Sequence, residues 1–290
     1  MIHRQIFHND RIVPIEQARL SPGQAGLLNG WGLFTTMRIF QGEAFAYERH
    51  WRRLEKDAGR IRLPFPFDPA KVRQHLSELL AANQVVEGTA RIYMIYNRVG
   101  FWQSEEPLPQ VDLLLCTAGL PPHPEQARLS IAEHGRHAAS PLAGVKVTSW
   151  LNNVWHLAEA QSHGWSEVVL LNERGEVAEC TTANIFCVKN GQVATPPLSS
   201  GCLEGVTRGV LLEIAPRNGV SLVEQTLTPE DLYAAEEVFI TSTNRSLLGI
   251  SEIAGHKFSV VMGPVPQKLE RSFGAAMREY VAQRAAGVRS

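Results

Sequence analysis

The segment GLPPHPEQ, residues 119–126, carries three prolines and interrupts the strand and helix patterns on either side of it. Proline has no backbone N–H and a fixed φ, so it is excluded from helix interiors and from central strands. A proline-dense segment of this kind is typical of an interdomain connection. The sequence therefore predicts a smaller N-terminal α/β domain over 1–118, a linker over 119–126 and a larger second domain over 127–290.

Short alternating segments and turn signals dominate the first predicted domain. RQIFHNDRIVP predicts a hairpin that turns at Asn9 and Asp10, and FTTMRIFQGEAFAYERH predicts another that turns at Gln41 and Gly42. The segment FDPAKVRQHLSELLAAN has a helix start signal, an aspartate N-cap followed by a proline at the first helical position. These patterns predict antiparallel strands accompanied by helices.

Strands and helices alternate more regularly after the linker. LNNVWHLAEAQSHG predicts a helix that stops at Gly164, and GVTRGVLLEIAPRNG and PQKLERSFGAAMREYVAQRAA also have helical patterns. Between them, EVVLLN, EVAEC, NIFCVKNGQVAT and EVFITS have the length and the β-branched content of strands. The whole chain is therefore predicted to have a mixed α/β fold.

The charge and the hydropathy of the chain limit the classes of partner. Over 290 residues the formal net charge is −1, and no run of like charges occurs. Nucleic acids and anionic membranes select for basic patches, so we expect neither as a partner. No apolar run approaches the roughly 20 residues of a membrane span, and MIHRQIFHND lacks the apolar core of a signal peptide. A cytoplasmic location is the default expectation.

The cysteine and histidine spacings contain no metal signature. The four cysteines form no C-x-x-C pair, and no two of the ten histidines complete a zinc spacing. We therefore expect buried free thiols and no metal site.

Lys146 stands between Val145 and Val147, directly before a predicted helix. On an alternating strand, a lysine between two valines is usually the solvent-facing residue. The functional alternative is an amine in an apolar pocket, where desolvation favours the neutral nucleophile that forms a Schiff base with an aldehyde cofactor. The segment alone leaves both alternatives open.

Glu179 lies in the short predicted strand EVAEC, beside Cys180 and a pair of threonines. A carboxylate in such a strand is either a solvated edge residue or the partner of a cation. One cation that needs a carboxylate partner is the protonated ring nitrogen of pyridoxal phosphate, which accepts electrons from a substrate carbanion.

The segment LEGVTRG, residues 203–209, places Gly205, Val206 and Thr207 at the start of a predicted helix. Free backbone N–H groups, the helix dipole and a threonine hydroxyl together can bind a phosphate group. The alternative is an ordinary helix N-cap.

Two further segments offer groups that could bind phosphate. ITSTNRS, residues 240–246, presents Ser242 and Thr243 just after a strand, where hydroxyl residues are also common for turn formation. Arg53 in RHWRRLE could form a bidentate contact with a phosphate, although most helix arginines are solvated.

Several segments, in a fixed order over nearly the whole length, resemble the class IV aminotransferases, which are the fold-type IV pyridoxal-phosphate (PLP) enzymes. The matching segments are GWGLFTTMR, HWRRL, GVKVTSWLNNV, EVVLLNERGEVAECTTANIF, TPPLSSGCLEGVTR and EVFITSTNR. The family includes branched-chain and D-amino-acid aminotransferases and aminodeoxychorismate lyase. Many matched segments in register are far more specific than one motif.

The resemblance implies a two-domain fold with a C-terminal pseudo-barrel that binds PLP, a homodimer, and transfer of an amino group between amino acids and 2-oxo acids. It implies that Lys146 forms the Schiff base and shuttles the proton, and that Glu179 pairs with the ring nitrogen. The Lys-to-Asn-Val spacing is kept at Asn153 and Val154, while a motif position that is often asparagine is Ser149. The resemblance also implies a phosphate site formed by Arg53, Val206, Thr207, Ser242 and Thr243.

Substrate contacts are expected mainly from the N-terminal domain. The resemblance places Asn29, Phe34, Thr36, Arg38, Arg98 and Asn244 at substrate-binding positions. Thr36 stands where branched-chain enzymes have glycine, and a Thr-Thr pair here resembles the lyase, in which a threonine hydroxyl assists proton transfer. The Ser-Thr pair of ITSTNRS resembles the transaminases instead. An aminotransferase is therefore predicted, with the lyase, which forms pyruvate and 4-aminobenzoate, as the alternative.

Overall fold

The structure is a computed structural model that describes residues 1–21, 23–97, 109–122 and 124–287. The chain separates into two compact units. The first comprises Met1–Pro121, Val145–Trp150 and Glu279–Ser290, and the second comprises Pro122–Gly144 and Leu151–Arg278. Residues 145–150 therefore belong with the first unit, and the domain limits expected from sequence, 1–118 and 127–290, stay a prediction.

Six strands of the first unit form one antiparallel sheet: β1 Gln5–His8, β2 Arg11–Pro14, β3 Gly32–Phe40, β4 Glu43–Ala44, β5 Gly88–Tyr96 and β6 Val111–Ala118. Their order across the sheet is β2-β1-β6-β5-β3-β4. Both predicted hairpins are confirmed, because β1 pairs with β2 and β3 pairs with β4. Asn9 and Gly42 adopt positive φ values of 58° and 79° at the two turns.

The helices of the first unit are α1 Ala25–Leu28, α2 Tyr47–Ile61 and α3 Pro69–Ala82. α3 begins as predicted: the Asp68 side chain accepts a hydrogen bond from the Lys71 backbone N–H at 2.8 Å. α2 buries one face at helical spacing, and its residues Leu54, Ala58 and Ile61 belong to the apolar core of this unit.

Alternation along β3 separates two faces of the sheet. Leu33, Met37 and Ile39 are fully buried in the apolar core. The side chains of Phe34, Thr36 and Arg38 must project from the opposite face, since successive strand residues alternate. Register places Tyr93 and Arg91 of β5 opposite Phe34 and Thr36. We call this second surface the Phe34 face; it consists of Phe34, Thr36, Arg38, Arg91 and Tyr93.

The strands of the second unit form a nine-stranded mixed sheet: β7 Gln126–Ala132, β8 Glu167–Leu171, β9 Val177–Cys180, β10 Asn184–Lys189, β11 Gln192–Thr195, β12 Leu222–Glu224, β13 Glu237–Ser242, β14 Ser246–Ile253 and β15 His256–Lys257. The order is β12-β11-β10-β13-β14-β7-β8-β9, with β15 paired to β14. β7 runs parallel to both β8 and β14, and β11 runs parallel to β12, whereas the other pairs are antiparallel.

The remaining helices are α4 Leu151–Ser162, α5 Val206–Arg217, α6 Pro229–Tyr233 and α7 Pro264–Gly287. Gly164 follows α4 with φ +80°, a left-handed conformation that ends the helix as predicted. The predicted mixed α/β organisation is thereby confirmed. Among the residues described, every helix is too short or too polar to cross a membrane.

Candidate active site

Lys146 lies in a short extended segment that runs beside β3. Its carbonyl accepts a hydrogen bond from the Phe34 N–H at 3.1 Å, and the Thr148 N–H donates to the Gly32 carbonyl at 2.9 Å. Val145 and Val147 pack in the apolar core. Because strand residues alternate, the Lys146 side chain projects on the same side as Phe34. The two valines that flank the lysine are therefore the reason for its orientation.

Two aromatic rings contact the amine of Lys146. Its Nζ lies 4.4 Å from the ring centroid of Phe34 and 4.6 Å from that of Trp150. The two rings are perpendicular, with centroids 5.5 Å apart. An ammonium is attracted to such ring faces, and the rings also exclude part of its hydration shell. The structure thus places the amine of this half-buried lysine against two aromatic rings.

A buried polar cluster lies on the core side of β3. Thr35 Oγ1 is 2.7 Å from His50 Nδ1 and accepts a hydrogen bond of 2.9 Å from Arg53 Nη2. Burial lowers the pKa of His50 well below its usual value, and the positive charges of Arg53 and Lys146 act in the same direction. His50 is therefore neutral at pH 7. Arg53, a predicted phosphate ligand, is almost fully buried and oriented by this cluster.

Arg91 on the Phe34 face is a candidate functional residue that the sequence analysis missed. Its Cζ lies 5.9 Å from the Phe34 ring centroid, and its Nη1 donates a hydrogen bond of 2.9 Å to the Tyr93 hydroxyl. The side chain is exposed, and no carboxylate of the described residues forms an ion pair with it. Strand register with Thr36 is the signal that could have identified it.

Two other predicted substrate residues have different surroundings. Arg38 Nη2 lies 2.9 Å from Glu87 Oε2, so this arginine already has a carboxylate partner. Asn29 is an exposed residue at the C-terminal end of α1. Arg98 lies outside the described residues.

In the second unit, Glu179 is a buried carboxylate on β9. Its Oε1 is 2.8 Å from Arg136 Nη2 and 3.0 Å from Arg136 Nε, and its Oε2 accepts a 3.0 Å hydrogen bond from the Leu203 N–H. Arg136 Nη1 also donates to Asn153 Oδ1 at 3.0 Å. The sequence analysis did not identify Arg136. A buried carboxylate requires a cationic or hydrogen-bonding partner, so burial of Glu179 was the signal that such a residue exists. These contacts fix both oxygens of Glu179.

A second buried carboxylate, Glu167, continues this network. Asn153 Nδ2 donates to the Thr181 carbonyl, and the hydroxyls of Thr181 and Thr182 donate to the Glu167 carboxylate. Arg245 Nη1 donates to Thr182 Oγ1 at 2.8 Å and lies 3.4 Å from Glu167 Oε2. Hydrogen bonds therefore connect the strand that carries Glu179 with the turn that follows β13.

The N-terminus of α5 has the features of an anion site. Gly205 is the N-cap and provides no side-chain hydrogen bond to the first turn, which begins with Val206 and Thr207. The leading N–H groups of such a helix have no partner within the helix. A Cβ at Gly205 would lie 1.9 Å from Asn184 Oδ1, so no other residue fits there without displacing Asn184.

The remaining predicted phosphate and substrate residues share one turn. Ser242 ends β13 and pairs with Ser246 at the start of β14, with Thr243 and Asn244 between them. All are half-buried. The Oδ1 of Asn244 is buried and accepts no hydrogen bond from the described residues. A buried acceptor of this kind needs a donor, and a bound ligand can supply one.

No group of His, Cys, Asp and Glu side chains that could hold a metal ion occurs in the described part of the chain. All four cysteines are free thiols; Cys116 is half-buried and the other three are buried.

Comparison with known proteins gives matches over most of the chain. A family model described as amino-transferase class IV matches residues 32–253. A protein of Methanocaldococcus jannaschii, provisionally named a branched-chain-amino-acid aminotransferase, is 30% identical over 275 residues, 93% of this chain and 95% of that protein. D-alanine aminotransferase of Listeria innocua is 28% identical over 277 residues, 93% of this chain and 94% of the relative.

Solved structures also resemble this fold. The crystal structure of a branched-chain aminotransferase from Thermoproteus uzoniensis, determined with norvaline, superposes with a TM-score of 0.88 and 27% identity. The match covers 97% of this chain and 98% of that structure.

Proposed function

The chain belongs to the class IV aminotransferases, and on that premise we propose that it moves an amino group between an amino acid and a 2-oxo acid. It is an enzyme, and the predicted fold-type IV architecture is confirmed. The observation that carries the proposal is the surroundings of Lys146. Its Nζ is oriented by the rings of Phe34 and Trp150 on a segment tied to β3.

Class IV aminotransferases are PLP enzymes, and the described residues suit that cofactor. Lys146 offers the amine for the aldehyde, and Glu179 offers a buried carboxylate for the ring nitrogen. The uncapped N-terminus of α5 at Val206 and Thr207 suits a phosphate group. We propose that Arg53, Ser242 and Thr243 complete the phosphate site.

When bound, PLP supplies a cationic ring that takes up the electron pair left when a substrate loses its α-proton. In the proposed mechanism, Lys146 Nζ takes that proton as the general base. The rings of Phe34 and Trp150 limit the directions in which the amine can point. Glu179 would supply the negative charge that stabilises a protonated ring nitrogen, and Arg136 together with the Leu203 N–H restricts rotation of the carboxylate.

We propose that the Phe34 face recognises the substrate. Phe34 and Tyr93 stack with centroids 5.8 Å apart, and Arg91 lies beside them with no carboxylate partner among the described residues. A guanidinium next to two rings suits a substrate that has both a carboxylate and an apolar part. On the same face, the Thr36 side chain takes up space that a glycine would leave open to the substrate. Asn29, Asn244 and Arg98 remain predicted substrate contacts.

The direct experiment is a half-reaction. Purified protein loaded with PLP is mixed separately with L-glutamate, with branched-chain L-amino acids and with D-alanine. At least one donor is expected to bleach the visible absorption band and to release one equivalent of its 2-oxo acid. If no amino acid does so but aminodeoxychorismate yields pyruvate, the enzyme is a lyase. That outcome would give the Thr36 hydroxyl a role in proton transfer.

In an assay with 2-oxoglutarate as the amino acceptor, Arg91→Gln is expected to raise the KM for this 2-oxo acid about 10- to 100-fold. The change in kcat is expected to be less than about threefold. Loss of a charge-assisted hydrogen bond to a carboxylate has an effect of this size. Steady-state kinetics at varied 2-oxoglutarate measure it. Arg11→Gln is the matched control, because Arg11 is 78% exposed and lies on the edge strand β2, whereas Arg91 lies on the interior strand β5. An unchanged KM in Arg91→Gln would remove Arg91 from the substrate site.

A homodimer and a cytoplasmic location belong to the same proposal and are supported by the family resemblance. Assignment of residues 127–290 as the PLP-binding domain is also a proposal. Sedimentation equilibrium of the purified chain measures its oligomeric state.

A further inference from the structure

Asp57 on α2 is a buried carboxylate whose side chain contacts the backbone of Lys146. It is 2% exposed, and its Oδ2 accepts a hydrogen bond from the Lys146 N–H at 3.2 Å. Both residues lie in the first unit. Asp57 is not part of the sequence motif that identified Lys146, and the two residues are 89 positions apart along the chain.

A carboxylate is an unfavourable residue at a fully buried position unless it has a partner. Burial raises the pKa of Asp57, while the hydrogen bond from the Lys146 N–H and the nearby charge of Arg53 lower it. Its hydrogen bond to the Lys146 segment is thus part of what offsets the cost of burial.

The bond completes the attachment of Lys146. The Lys146 carbonyl is bound to the Phe34 N–H of β3, and the Lys146 N–H is bound to Asp57 of α2. Both backbone groups of the lysine are therefore held, one by the sheet and one by a helix. Because the backbone of Lys146 is held on two sides, its Nζ keeps one position against the rings of Phe34 and Trp150.

We propose that Asp57 is a positioning residue for Lys146, and that its carboxylate holds the lysine backbone where the amine can react with PLP. This inference rests on the proposed function, in which Lys146 is the PLP-binding lysine. Asp57 does not touch the reacting atoms; it acts through Lys146.

The test measures the rate at which PLP becomes covalently attached to the apoprotein. This rate does not depend on catalytic turnover. The visible absorption change gives the rate constant, and borohydride reduction with peptide mass analysis identifies the modified lysine. Asp57→Ala and Asp57→Leu are expected to slow attachment about 10- to 100-fold, because small displacements of a reacting group have effects of this size. Asp57→Asn keeps an acceptor oxygen and is expected to stay within about threefold of wild type.

Asp112→Ala is the matched control for Asp57→Ala. Asp112 is also buried in the first unit, at 5% exposure, and accepts hydrogen bonds from Asn9 and Gln24 instead of the Lys146 segment. Wild-type rates in both Asp57→Ala and Asp57→Leu would overturn the proposal, as would equal slowing in Asp112→Ala. If wild type attaches no PLP at Lys146, the proposed function fails instead.

A measurement on the wild-type apoprotein keeps the test decisive if the apolar variants do not fold. Amide hydrogen exchange of the peptide that contains Lys146 should show its N–H protected at least about tenfold over an unbonded amide. An unprotected N–H would show that Asp57 does not hold it.

Discussion

Replacing Lys146 with alanine is expected to lower the rate of amino transfer at least about 1,000-fold and to abolish covalent attachment of PLP. Alanine removes the only atom of residue 146 that can form the Schiff base, and it removes the proposed general base, which alone contributes about 100- to 10,000-fold. Val145 and Val147 continue to pack in the core, so the fold should persist. Single-turnover kinetics and the visible spectrum measure both effects.

Lys189→Ala is the control for this experiment, because Lys189 is exposed at the end of β10. It should retain the spectrum and the rate of wild type. If Lys146→Ala keeps the visible band after gel filtration, another lysine binds the cofactor and the assignment is wrong.

Glu179→Gln is expected to slow the half-reaction about 100-fold while PLP stays bound. Glutamine has the same shape and can still accept a hydrogen bond from the Leu203 N–H, but it has no charge to stabilise a protonated ring. The Arg136 guanidinium would then lack its carboxylate partner and would add a positive charge beside the ring. Removal of one electrostatic stabiliser from an active site has effects of about 100- to 1,000-fold.

Rapid mixing with a donor amino acid measures the half-reaction of the Glu179 variant directly. Glu159→Gln serves as the control, since the Glu159 side chain is 59% exposed on α4. A half-reaction as fast as that of wild type would show that Glu179 does not pair with the ring.

Local features of the fold could be predicted because their causes are local. The turn at Asn9 and Asp10, the cap at Asp68 and the end of α4 before Gly164 each depend on residues within one turn of chain. The orientation of Lys146 also has a local cause, the packing of Val145 and Val147, although the segment alone left a solvent-facing side chain and an amine in a pocket as alternatives.

Partners that meet only through tertiary contacts could not be predicted. Arg136 reaches Glu179 across 43 positions, and Arg38 meets Glu87 across 49. Strand alternation also divides the Thr-Thr pair that suggested the lyase. Thr35 is fully buried beside His50, and only Thr36 belongs to the Phe34 face. A sequence motif counts Thr35 and Thr36 as one pair, whereas the sheet places their side chains on opposite faces.

The division of β3 into two faces has a consequence for laboratory evolution. If the Phe34 face binds the substrate as proposed, Thr36 can be randomised to change the donor range with little disturbance of hydrophobic packing, whereas Phe34 should stay constant because its ring contacts the amine of Lys146. Odd-numbered neighbours such as Leu33 and Met37 hold the scaffold together and are better left constant. A library built on that parity would explore new specificities without losing most of its members to misfolding.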